Sequence, residues 1–306
     1  MLREQVLSLF GRNLRLAIEE CKVDFDALQE IRVRAGKPLI FIASGSEKQL
    51  QVNVTMRDVK EIVDTACGHS GYAFEEELRR GYLTIEGGHR IGIAGRAVMT
   101  AEGIRTIKNI SALNIRIAHS VPGCSEPWKT YFYKKKRPCN TLLVSPPGAG
   151  KTTLLRDMIR CISDGCAEYA GVSVGVVDER MEIAGSYRGL PSHELGIRTD
   201  LLDGCPKSLG MEMLIRSMAP AVVAVDEIGN GDVSSIENAL RCGCKVIATM
   251  HGECVDDFLK KPGFGNLVRE KVFERFIFLK KGEIPGKVQA IYDEEFKVLW
   301  REKLCI

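Results

Sequence analysis

The sequence predicts an α/β protein in two parts: a smaller α+β domain over residues 1–120 and, after a linker over 121–138, a doubly wound domain over 139–306. Three observations carry that prediction. The second half alternates short apolar β-type runs with helical segments, the pattern of parallel strands buried on both faces. The first half instead places β-type runs between turn signals, with helical segments interspersed. And 306 residues is too long for most single cores.

In the first half, residues 3–20 set Val6, Leu7, Phe10, Leu14, Leu16 and Ala17 at helical spacing. Short β-type runs follow at Ile31–Val33, Leu39–Ile42 and Gln51–Val54, broken by Gly36-Lys37-Pro38 and Gly45-Ser46. Thr55 and Asp58 have the spacing of a capping box and open a helix carrying Val59, Ile62, Val63 and Ala66 on one face. A further helix is expected over 71–80, then strands Tyr82–Ile85 and Arg90–Val98 joined at Gly87-Gly88, and a strand over Asn114–Ala118. The stretch from His119 to Ser125 reads as the start of a linker, which ends in the basic run Lys134–Arg137. The second half then reads as strand 140–144, helix 152–163, strand Val172–Val177, helix near 207–218, strand Ala221–Val225, helix 232–242 and strand Lys245–Met250. Phe273–Leu279, Lys287–Tyr292 and Phe296–Trp300 are expected as edge strands.

Composition narrows the function classes. Apolar residues at 45% and charged residues at 27% are ordinary globular values and exclude a disordered or fibrous chain. A formal charge of +3 is too small to argue by itself for a polyanionic partner. No run of eighteen apolar residues occurs, and the opening Met1-Leu-Arg-Glu-Gln begins an amphipathic pattern rather than a signal peptide, so a cytoplasmic chain is expected. The eleven cysteines are scattered through apolar surroundings and read as reduced, packed thiols. Cys242-Gly243-Cys244, followed by His251 and Cys254, lacks the spacing of a zinc site.

The chemistry is concentrated at the ends of the apolar runs. Asn140–Ser145 enters a Gly/Pro loop, and Lys151-Thr152-Thr153 opens an amphipathic helix, the context of a phosphate-binding P-loop. Ser145, Pro146, Pro147, Gly148, Ala149, Gly150, Lys151, Thr152 and Thr153 are therefore candidates for binding ATP. Backbone N–H groups and the helix N-terminus would cradle a phosphate while Lys151 adds a full charge. The match to G-x-x-x-x-G-K-[ST] fails only at its first position, where Ser145 replaces glycine. Ala221–Val225 ends in Asp226-Glu227. Asp226 and the Thr152 hydroxyl are candidates to hold Mg²⁺, and Glu227 to polarise an attacking water. Val174–Val177 ends in Asp178-Glu179-Arg180-Met181-Glu182, where Asp178, Glu179 and Glu182 compete to position that water, or form a structural salt bridge with Arg180. Lys245–Met250 runs into His251, placing Thr249 and His251 where either can touch the γ-phosphate or its water.

In this order the motifs resemble the secretion-ATPase branch of the P-loop motors, the hexameric ATPases of type II and type IV secretion and of pilus retraction. That branch joins an N-terminal α+β domain to a RecA-like, AAA-type domain carrying a Walker A loop, an Asp box, a Walker B acid pair and a His box. The corresponding residues here are Ser145–Thr152, Asp178–Glu182, Asp226-Glu227 and Thr249–His251. The stretches Arg180–Gly185, Gly196–Asp203, Ala221–Gly229, Gly81–Gly95 and Ile115–Ala118 look more narrowly like a sporulation family within the branch. The resemblance implies a Mg²⁺-dependent ATPase at the cytoplasmic face of the inner membrane. It would be a homo-oligomer, a hexamer, docked on membrane proteins of the channel that joins mother cell and forespore. It also implies arginines that reach the γ-phosphate from the N-terminal domain or a neighbouring subunit, for which Arg90, Arg96, Arg116, Arg198 and Arg216 are candidates. At Walker B the branch usually carries Gly-Glu-Ile-Arg-Asp, and this chain has Gly229 in place of that arginine. Two other readings share the core: a RecA-type nucleic-acid motor, supported by Lys134–Arg137 but by no aromatic stacking platform, and a nucleotide-switched scaffold.

Overall fold

The computed structural model describes residues 2–43, 45–68, 75–101, 103–187, 189–253, 263–282 and 285–302. The chain forms two compact units, Met1–His119 with Gly185–Ser192, and Ser120–Ala184 with His193–Ile306.

The first unit is built on an antiparallel sheet of β1 (Leu28–Arg34), β2 (Pro38–Ala43), β3 (Ser46–Asn53), β4 (Tyr82–Thr84), β5 (Arg90–Thr100) and β6 (Gly103–Arg116), in the order β3-β2-β1-β6-β5-β4. Its helices are α1 (Leu2–Leu7), α2 (Arg12–Glu20), α3 (Met56–Ala66) and α4 (Glu75–Arg80). Residues 71–74, the start of the helix expected over 71–80, lie outside the described residues. Leu14 and Ile18 of α2, Val59 and Ile62 of α3, and Ile31, Val33, Ile91 and Ile115 of the sheet make one buried core. Tyr187 of the Gly185–Ser192 segment packs against it.

The sequence expectation of one helix over 3–20 fails at Gly11, which adopts an extended conformation with φ −59° and ψ 158°. The nearest Glu61 carboxylate atom lies 2.5 Å from where a Cβ would stand, so a larger residue there would displace that side chain. The strand expected over Asn114–Ala118 is the end of a strand more than twice as long. Its outer part is hidden in the sequence by register shifts between Ala94 and Arg96 and between Val98 and Met99, which scramble the alternation of apolar residues.

α3 begins as the sequence anticipates. The Asp58 amide donates to Thr55 Oγ1 at 3.2 Å and the Thr55 amide to Asp58 Oδ2 at 2.7 Å. Thr55→Ala removes the first of these bonds, and chemical denaturation should show the first unit less stable by about 1 kcal/mol.

The second unit is three-layered. Its mainly parallel sheet contains β9 (Thr141–Ser145), β10 (Val174–Asp178), β11 (Thr199–Asp203), β12 (Val222–Val225), β13 (Lys245–His251), β14 (Arg275–Leu279), β15 (Val288–Asp293) and β16 (Val298–Arg301). Their order is β11-β10-β12-β13-β9-β14-β15-β16; the strands from β11 to β14 are parallel, and β15 and β16 complete the edge antiparallel. Side-chain alternation sorts each strand between two cores. Leu143, Val222, Ala224 and Ile247 meet α5 (Lys151–Asp164) on one face. Leu142, Val144, Val223, Val225, Val246 and Ala248 meet α6 (Lys207–Met218), α7 (Val233–Arg241) and α8 (Phe264–Arg269) on the other.

Residues 121–138, expected as a linker, are part of this unit. A 3-10 helix over Glu126–Phe132 leads to the short antiparallel pair β7 (Tyr133–Lys134) and β8 (Arg137–Pro138), and Phe132 is fully buried in the core. The basic run is thus a two-residue hairpin, turned by Lys135 and Lys136 at φ 50° and 62°, and Lys134 pairs with Glu294 at 2.7 Å. Among the described residues no helix is long and apolar enough to cross a membrane.

Candidate nucleotide-binding site

Parallel strands deliver their carboxyl ends to one edge of the sheet, and in an open α/β sheet that edge is where ligands gather. β9 lies between β13 and β14, with β12 beyond β13, so Ser145, His251 and the Asp226-Glu227 pair emerge side by side. After β9 the chain turns through Pro146–Gly150 into α5. Gly148 and Gly150 have φ of 75° and 87°, backbone that an L side chain adopts at a cost. At Gly150 space is decisive as well: a Cβ would stand 2.1 Å from the Gly286 nitrogen. That segment braces the loop, since the Gly286 N–H donates to the Ala149 carbonyl at 2.8 Å. Ser145 is fully buried and its Oγ donates to the Pro146 carbonyl at 2.9 Å, so the hydroxyl that replaces the motif's first glycine is satisfied within the turn.

Seven side chains converge beyond the loop. Thr152 Oγ1 donates to Asp226 Oδ2 at 2.7 Å. The other Asp226 oxygen accepts from Thr249 Oγ1 and, at 3.0 Å, from the Glu227 amide. Lys151 is 6% exposed, and its Nζ lies 3.4 Å from His251 Nδ1 and 3.9 Å from Glu227 Oε1. His251 Nε2 is 3.0 Å from the same Glu227 oxygen, and Arg180 Nη1 donates to the other, Oε2. Burial pushes the Glu227 carboxyl up, but Arg180, the His251 hydrogen bond and Lys151 outweigh it and hold it below the usual carboxylate value.

The family model described as sporulation stage III, protein AA matches residues 1–299. This chain belongs to that family. Stage III sporulation protein AA of Bacillus subtilis (strain 168) is 42% identical over 275 residues, 90% of this chain and 89% of that protein. Among solved structures, the ATPase DotB of Yersinia pseudotuberculosis aligns over 89% of this chain and 76% of its own, with TM-score 0.59 and 13% identity. The pilus retraction motor PilT with bound ADP aligns over 90% and 77%, with TM-score 0.54 and 16% identity. At such identities the likeness is one of fold, and the α/β fold is shared with secretion ATPases.

In this sporulation-family chain Asp178 and Glu179 are engaged elsewhere. Asp178 is 1% exposed, and its two oxygens accept from the Glu182 and Ala184 amides at 2.9 and 2.8 Å. It anchors the turn that follows β10 instead of facing a water. Glu179 is ion-paired with Lys207 of α6. Glu182 offers its carbonyl to Arg156 Nη2 at 2.9 Å. Arg180, read as a partner for these neighbours, pairs across strands with Glu227. Thr249, read as a phosphate contact, is fully buried and holds the acid pair in place: besides Asp226 it serves the Glu227 amide, at 2.9 Å.

The arginine candidates scatter. Arg116 belongs to the first unit, on β6, 3.5 Å from Glu30. Arg90 covers the Tyr82 ring in the same unit, and Arg96 is exposed on β5. Arg216 is exposed in the last turn of α6, paired with Glu212 at 3.1 Å and toward the sheet edge opposite the cluster. Arg198 donates to the Ser163 carbonyl at 2.9 Å, closing the end of α5. Of the cysteine cluster weighed for a metal, Cys244 is buried and Cys254 lies outside the described residues.

Sequence reasoning missed Arg156. It is 7% exposed on α5 and donates to the Ile183 carbonyl at 2.6 Å, tying the helix to the turn that Asp178 organises. Burial pushes its guanidinium down to about 10, while Asp178 and Asp226 pull it up. Only its place on α5, five residues after Lys151, could have singled it out.

Burial raises the Asp178 carboxyl to about 6, against the amide hydrogen bonds that lower it. A carboxyl raised in the fold contributes stability that is full below its unfolded value, near 4, and is lost as pH rises through 6. The stability advantage of wild type over Asp178→Asn should therefore narrow across that window, by on the order of 2 kcal/mol in urea titrations at stepped pH.

Proposed function

We propose that this family member binds Mg-ATP at Ser145–Thr153 and hydrolyses it as the motor of a secretion-like channel complex in endospore formation. It would act as a homo-oligomer, a hexamer, on membrane proteins of that complex at the cytoplasmic face of the inner membrane. The observation that carries the reading is the convergence of Lys151, Thr152, Asp226, Glu227 and His251 at neighbouring strand ends beside a loop of two left-handed glycines. The fold likeness to PilT, solved with bound ADP, supports it.

The donor set suits Mg²⁺. Thr152 and Asp226 offer a hydroxyl and a carboxylate 2.7 Å apart, hard oxygen ligands of the kind that share the ion with phosphate and water. Among the described residues no three His, Cys, Asp or Glu side chains form a metal cage, and Mg²⁺ at a nucleotide needs none. Bound there, the ion would neutralise phosphate charge. Lys151 binds the β- and γ-phosphates, exchanging its contacts to His251 and Glu227 for phosphate oxygens. Glu227 accepts a proton of the attacking water and aims its oxygen at the γ-phosphorus, while His251 keeps the carboxylate in register.

Equilibrium dialysis against Mg-ATP, with phosphate release followed across protein concentration, tests the reading. Uptake is expected, with a rate per subunit that climbs with concentration as neighbours complete the site. A folded chain that takes up no nucleotide removes the motor reading altogether.

A further inference from the structure

Glu227 occupies a conformation that its own backbone disfavours. It is not glycine, yet its φ is 48°, and such residues persist only where the surroundings over-determine them. Its amide is held by Thr249 Oγ1 and Asp226 Oδ1, at 2.9 and 3.0 Å. Its carboxylate is held from two sides, by His251 on Oε1 and Arg180 on Oε2. Lys151 stands 3.9 Å from Oε1 and is the group a phosphate needs free.

We propose that Arg180, reaching from the end of β10 to the acid after β12, is a positioning residue for Glu227: it draws the carboxylate outward from Lys151 and fixes it for catalysis. The inference rests on the reading of Glu227 as the water-orienting acid. Charge arithmetic favours the role. With Arg180 removed, Lys151 and His251 become the carboxylate's remaining cationic or hydrogen-bonding contacts among those described. A nearly buried ammonium attracts a carboxylate far more strongly than an exposed one. Glu227 would then collapse toward the lysine, leaving both groups misplaced for their tasks. Arg180 is 58% exposed, so its contribution lies in direction, not in burial. Lys207 takes up the neighbouring Glu179.

A double-mutant cycle tests the proposal, read as single-turnover phosphate release at saturating Mg-ATP with the full chain. Arg180→Ala should slow turnover roughly ten- to hundredfold, as expected for a misplaced catalytic group, with Arg180→Lys recovering part of the loss. Placed on Glu227→Gln, Arg180→Ala should cost nothing further, because its action passes through the carboxylate. An Arg180→Ala chain as fast as wild type overturns the proposal, and so does an equal loss in the Glu227→Gln background. Should Arg180→Ala fail to fold, Arg180→Gln carries the same expectations. Undiminished turnover by Glu227→Gln alone would instead sink the reading of Glu227, and the inference with it.

Discussion

Lys151→Ala is expected to abolish Mg-ATP binding while leaving the fold intact. The ammonium is 6% exposed at the first turn of α5, where the N–H groups and the helix dipole already favour an anion. Its contacts are His251 at 3.4 Å and Glu227 at 3.9 Å, neither as close as a charge-assisted hydrogen bond, so it is poised to exchange them for phosphate oxygens. Hydrogen bonds to charged groups contribute roughly 1.5–3 kcal/mol each, and the variant loses those to two phosphates, so affinity should fall at least a hundredfold. Titration with a fluorescent ATP analogue measures that loss. A thermal melt close to wild type would show that the loss is local, since alanine is a good helix former and removes a buried charge. Near-normal affinity in the variant would mean that the loop does not hold phosphate.

Glu227→Gln should separate binding from chemistry. Glutamine fills the same space but cannot accept a proton from water, and loss of a general base costs roughly 10²- to 10⁴-fold in turnover. Affinity for ATP should hold or improve, because Lys151 is released from a competing carboxylate. The pH behaviour follows from the sign of the shift. A carboxyl held below its ordinary value is charged throughout the neutral range, and its contribution is lost only as pH falls through that lowered value. Wild-type turnover should therefore show no acid limb from this group between about pH 5.5 and 8, in phosphate-release assays at constant ionic strength. Equal rates for wild type and Glu227→Gln would take this residue out of the mechanism.

What the sequence made legible was local. Val222–Val225 is apolar on both faces, so a buried parallel strand with acids at its end could be read directly. The same holds for β9 and β13, each flanked by the loop residues that carry the site. β11 escaped because Thr199–Asp203 is only half-buried along its whole length and mixes acids with leucines, as an edge strand can. The tasks of Asp178, Thr249 and Arg180 escaped for a different reason. Each is decided by a partner on another strand or turn, Ala184 for the first, Asp226 for the second and Glu227 for the third. Spacing reports which strand ends carry chemistry; only packing reports which of those groups are already engaged.

The hydrogen bond from Gly286 to the Ala149 carbonyl has a bearing on how the protein matures. The loop after β9 is made before the peptide that props it, which arrives with the hairpin of β14 and β15. A ribosome-bound intermediate stopped before that hairpin would carry the loop without its buttress. The braced geometry of the loop is thus complete only once β14 has docked on β9.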